Sequence, residues 1–172
     1  MPDEVGYVCR SCGQYHPELP LFYRTEAPAY WSKELEGDPD SGLDEDLCVI
    51  KGEHFFVQGN INIPIIGEDA FFSWGVWVSL SDKNFRRTVE LWTTRGRESE
   101  PPYFGWLSTD LPVYAPHGTV SLKTNVHTQP VGVRPTIELE PTDHPLAVEQ
   151  RSGITRDRIR DIAQLVLHPE ER

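Results

Sequence analysis

Three cysteines occur in the 172 residues, two of them as Cys9-x-x-Cys12 followed by Gly13 and His16. Thiolates at this spacing on a tight turn can share one metal ion, and glycine lets the backbone fold beneath the sulfurs. The motif supplies one knuckle, and no second Cys-x-x-Cys follows. A structural zinc site takes four ligands. The sequence therefore nominates Cys9, Cys12, His16 and Cys48 as a Cys3His set that would hold Zn2+ and tie the N-terminus to a sheet. Such closure contributes on the order of 10 kcal/mol to folding. Two other readings of the Cys9–Cys12 pair stay open, a redox dithiol and a plain turn with unligated thiols. The redox reading is the weaker, because Gly13 and His16-Pro17 stand where a thioredoxin-like motif needs a helix. Cys48 also reads as a small core residue beside Ile50, Phe55 and Val57.

A second group is Glu138, Glu140, Asp143 and His144. On a strand Glu138 and Glu140 share a face, with Asp143 and His144 in the turn beyond. Carboxylates beside an imidazole suit general acid–base chemistry or a hard metal. The competing account is structural: the glutamates mark a solvated face, and Thr142 or Asp143 caps a helix. No Gly-x-Gly-x-x-Gly, Gly-x-Ser-x-Gly or His-Glu-x-x-His run occurs, so nucleotide-binding and common hydrolase mechanisms lose support. Catalysis thus stays the alternative to a non-catalytic role, and no ligand-binding residues emerge.

The elements that must position these groups read as follows. Residues 1–24 are the knuckle and a Pro-bearing connector. Residues 26–36 suggest a short helix capped by Thr25 and stopped by Gly37, and 38–46, DPDSGLDED, an acidic mobile loop. LCVIKGEHFFVQG reads as two strands joined by a two-residue Lys51-Gly52 turn, which would set Cys48 opposite Phe55 and point His54 to the other face. NINIPI, FFSWGVWVSL, TVELWTT, PYFGWL, GTVSLKTNVHTQ and RPTIELE complete the strands. Trp74 and Trp77 fall on opposite faces unless Gly75 bulges, and Gly105 marks a bend or a close backbone approach. Pro145 opens a short helix that Gly153 stops. Thr155 opens another, with Ile159, Ile162, Ala163 and Val166 on one face and His168 at its C-terminal end. The sum is an α+β fold, a single domain over 1–172 with a mainly antiparallel sheet over 47–140 and a helical segment over 142–168.

Lys and Arg number 16 against 27 Asp and Glu, a net charge of −11. That balance argues against a nucleic-acid or anionic-membrane partner, and no apolar stretch approaches the roughly 20 residues that span a bilayer. The start MPDEVGYVCRSCG lacks the features of a signal peptide, which points to the cytoplasm.

Together CRSCGQYH, DLCVIKGEHFFVQG, FFSWGVWVSLSDKNF, YFGWLSTDLPVY and RPTIELEPTDHPLAVEQRSGIT resemble the bacterial domain-of-unknown-function family 2199, over roughly Tyr7 to His168. The resemblance implies a small prokaryotic protein and carries over no catalytic role. With the residue-level reading, the expectation is a zinc-stabilised interaction or regulatory domain, its partner a protein drawn to the acidic surface around 34–46.

Overall fold

The computed structural model describes residues 6–10 and 12–167, so His168 lies outside the described residues. A hairpin of its own comes first, β1 (Tyr7–Val8) and β2 (Tyr15–His16). An eight-stranded sheet follows: β3 (Phe22–Arg24), β4 (Gly42–Leu43), β5 (Leu47–Ile50), β6 (His54–Pro64), β7 (Phe71–Leu80), β8 (Tyr103–Leu107), β9 (Lys123–His127) and β10 (Thr136–Leu139). The helices are α1 (Asp82–Glu90), α2 (Pro145–Ser152) and α3 (Arg156–Leu167).

The two longest apolar alternations become the two longest strands. β6 and β7 pair antiparallel without a break from Phe55↔Leu80 to Pro64↔Phe71. β7, β8, β9 and β10 then pair antiparallel in turn, and β10 returns to β6 in parallel at Thr136↔Asn60. Five strands thereby close a ring, and closure removes exposed strand edges. β3 adds to β7 in parallel, so the sheet is mixed, with most of its pairings antiparallel.

Strand alternation sorts side chains into two cores. Phe72, Trp74, Val76, Val78 and Leu80 face the main core with Ile61, Leu107, Val126 and Ile137, and Phe85, Leu146, Ile159 and Ile162 from the helices join them. Trp77 faces the other way, into a smaller cluster with Leu35, Cys48, Ile50 and Phe56. The unbroken register through Gly75 keeps Trp74 and Trp77 on opposite faces. Two glycines make the ring possible. A Cβ on Gly105 would collide with Val78 Cγ1 and sit 2.7 Å from the Ser79 carbonyl oxygen, and one on Gly59 2.6 Å from Ile137 Cδ1.

Several local expectations change. Residues 88–94 are not a strand: Ser81 Oγ accepts from the Asn84 amide and starts α1, which absorbs Thr88, Val89 and Glu90. The segment 26–36 holds only a 3-10 turn, Lys33–Gly37, preceded by Ser32 rather than Thr25. The acidic 38–46 stretch is organised, not featureless. The Asp38 carboxylate accepts from the Asp40 amide and Ser41 Oγ, Asp44 Oδ1 accepts from the Asp46 and Leu47 amides, and Gly42–Leu43 pairs with β5. α2 begins at Pro145 and ends at Gly153 (φ 91°) as expected, but its N-cap is His144, whose Nδ1 accepts from the Leu146 amide. The β5–β6 connection runs through Lys51, Gly52 and Glu53, because Ile50 pairs with His54. That third loop residue slips the register by one, which moves every β6 side chain to the other face of the expected pairing.

Candidate metal centre

The N-terminal motif folds on itself for local reasons. The Cys9 amide donates to Gln14 O (2.9 Å) and the Gly13 amide to Cys9 O (2.8 Å), a reversal that Gly13 permits at φ 71°. Tyr7↔His16 and Val8↔Tyr15 pairing then returns His16 toward the cysteines. The ligand atoms of Cys9, Cys12 and His16 all lie within 4.8 Å of one another, with Cys12 Sγ 3.4 Å from His16 Nε2. A tetrahedral zinc site needs about 3.6 Å between sulfur and nitrogen and about 3.8 Å between sulfurs. The Cys12–His16 pair is already within about 0.2 Å of that spacing, and the other donor pairs, all within 4.8 Å, need to close by no more than about 1 Å to fit Zn2+.

Burial grades the site from inside to outside. Cys9 is buried in the main core beside Tyr7 and Leu19, His16 is half-buried and Cys12 is exposed. The Tyr7 ring stacks on His16 with centroids 5.1 Å apart. Burial and then the neighbouring Cys9 and Cys12 push the Tyr7 hydroxyl above its ordinary pKa. A stacked, neutral Tyr7 fixes the ring plane of His16, as the outer groups around a metal site commonly do.

Cys48 does not complete the set. It pairs with Phe56 and is buried in the smaller core, on the face of the sheet opposite the main core that holds Cys9. Burial, with Asp44 nearby, pushes its thiol up to about 12, as for a small core residue. The register places His54 opposite Ile50, on the same face as Cys48. Among the described residues no fourth His, Cys, Asp or Glu joins Cys9, Cys12 and His16.

The second group disperses. Glu138 Oε1 lies 3.4 Å from His127 Nε2 across β9 and β10, while Glu140 and Asp143 are exposed. His144 uses both ring nitrogens, Nδ1 for the α2 cap and Nε2 at 3.0 Å from the Gly118 carbonyl. No hydrogen bond or ion pair joins Glu138, Glu140, Asp143 and His144 to one another among the described residues. Sequence reasoning missed a different polar cluster. Glu149 accepts from Arg158 Nε (3.1 Å), Tyr114 OH stands 3.4 Å from Glu149 Oε2, and Trp74 Nε1 donates to Tyr114 OH (3.0 Å). Burial, opposed by Arg158, raises the Glu149 carboxyl. Nothing local pairs residues this far apart in the chain, so no sequence signal pointed to them.

A family described as "Uncharacterized protein conserved in bacteria (DUF2199)" matches residues 8–154. No curated protein and no solved structure matches the chain. No helix among the described residues is long and apolar enough to cross a membrane.

Proposed function

Because the chain belongs to the bacterial DUF2199 family, we propose a function from its own geometry: a zinc-stabilised, cytoplasmic interaction or regulatory domain in which Cys9, Cys12 and His16 hold the ion. The supporting observation is the convergence of two thiols and an imidazole within 4.8 Å on one hairpin. Bound there, the ion supplies a crosslink between the turn and β2. Cys9 anchors that crosslink in the main core, so metal binding holds the hairpin against the domain. Cys12 closes the solvent side, and Tyr7 orients the imidazole.

The fourth coordination position falls to water or to a donor beyond this group. Val8 and Tyr15 are 64% and 61% exposed on the same hairpin, so the ion also shapes an apolar surface that a protein partner can bury. The acidic charge of the chain favours a basic partner and disfavours nucleic acid and anionic membrane. Elemental analysis tests the reading on protein purified without chelator or a metal-binding tag. One zinc per chain in wild type and its loss in Cys12→Ser is the expected result. Metal-free, freshly reduced wild type that takes up no added Zn2+ refutes it.

A further inference from the structure

A second feature is unrelated to this chemistry: a groove of about 1090 Å³ over the smaller core, between the 30–38 segment and the outer faces of β6, β7 and β8. Tyr30, Phe56 and Trp106 give it aromatic walls. Tyr30 leans on Phe56 with centroids 6.1 Å apart, and Phe104 braces Trp106 edge-on at 5.0 Å. Tyr30 and Trp106 remain 55% and 44% exposed, an open arrangement for large aromatics that could have been buried.

The rim is fixed by backbone and side-chain bonds. The Gly52 amide donates to Asp40 O, the Lys51 amide to Ser41 Oγ, and Ser41 Oγ to Asp38 Oδ2, all at 2.8 Å. Lys51 (φ 54°) and Ser121 (φ 71°), the non-glycine residues in the left-handed region among those described, both line the groove; strain of this kind gathers at ligand sites. Asp38 is spent on its own loop and is matched by Lys51. Glu34 and Glu53 also line the groove, and among the described residues neither carboxylate has an ion-pair or hydrogen-bond partner. The rim charge left to a ligand is therefore negative, above aromatic faces that attract cations.

We propose that this groove binds a small organic cation with a flat apolar body, an arylalkyl amine or guanidine, which stacks on Trp106 and Tyr30 while its charge meets Glu34 and Glu53. The assignment is independent of the metal reading. Titration calorimetry on the full chain with tryptamine, tryptophol and indole-3-propionate tests it, since the three share a ring and differ in charge. Tryptamine is expected to bind saturably and at least about tenfold more tightly than indole-3-propionate, with tryptophol between. Glu34→Gln with Glu53→Gln should reduce tryptamine binding to the tryptophol level with unchanged thermal melting, because both carboxylates are exposed. Trp106→Ala should abolish binding in a protein that still melts cooperatively, at a Tm lowered by the loss of its contact with Phe104. Absence of saturable tryptamine binding, equal binding of the anion, or indifference to either variant overturns the proposal.

Discussion

Replacing Cys12 by serine separates the metal from everything else the hairpin does. Cys12 is exposed, so the substitution opens no cavity, whereas Cys9 is buried and would cost packing as well. A ligand that binds only the folded state stabilises it by about 2.7 kcal/mol at a free concentration 100 times its Kd. For a domain of this length each kcal/mol moves Tm by about 2–4 °C, so Zn2+ should raise the wild-type Tm by about 5–10 °C over the EDTA-treated protein. Cys12→Ser should melt at the EDTA value with or without Zn2+. Most of the main core comes from β6 to β10 and the helices, with Tyr7 and Cys9 adding to it from the knuckle, so metal loss should loosen the hairpin and leave the domain folded. Hydrogen exchange should accelerate at the Cys9 amide, which donates to Gln14 O, and stay slow across β6 and β7. Cys48→Ala supplies the opposite control: full zinc content, with about 1–2 kcal/mol lost from the smaller core. A Tm indifferent to Zn2+ and EDTA in wild type, or zinc lost from Cys48→Ala, would refute the reasoning.

Other perturbations probe the frame. Gly105→Ala places a methyl against Val78 and the Ser79 carbonyl and should cost at least about 2 kcal/mol in urea unfolding, whereas Gly118→Ala, with nothing within 4 Å, should be nearly silent. Arg97 is buried and its guanidinium donates to the Gln129, Trp92, Pro130 and Val133 carbonyls. Arg97→Lys cannot serve all four, and a loss of about 1–3 kcal/mol with preserved zinc content is expected. Glu149 has its folded-state pKa raised above the usual carboxyl value, so its contribution to stability is complete below the unfolded pKa of 4.5 and is lost as pH rises through the folded value. The stability difference between wild type and Glu149→Gln should therefore shift against wild type as pH rises from 4 toward 7, and a flat difference across that window refutes the assignment.

What could be read in the chain by itself was local. The donors of the knuckle stand within eight consecutive residues, and Gly13 supplies the one backbone conformation that folds them together. The helix from Pro145 to the Gly153 stop, and the apolar face of Ile159, Ile162 and Ala163, follow likewise from 3.6-residue spacing and terminal residues. The strands His54–Pro64 and Phe71–Leu80 were legible from their density of aromatic and β-branched residues, and so, coarsely, was the α+β class.

Tertiary structure decided what depends on parity and on distance along the chain. One extra residue in the Lys51–Glu53 loop reversed which face of β6 shares the side of Cys48, giving it Phe56 in place of Phe55 and Val57 and setting it in the smaller core, away from Cys9; strand alternation makes such a slip all or nothing. Thr88–Glu90 carried strand-forming residues, yet the Ser81 cap drew them into α1. The closing pair Thr136↔Asn60 joins residues 76 positions apart, and the Glu34 and Glu53 rim depends on loops that meet only once the smaller core is packed. The spacing of Cys9, Cys12, Gly13 and His16 brings three candidate donors within 4.8 Å because so short a segment reverses on itself at Gly13. Longer separations leave that choice to packing.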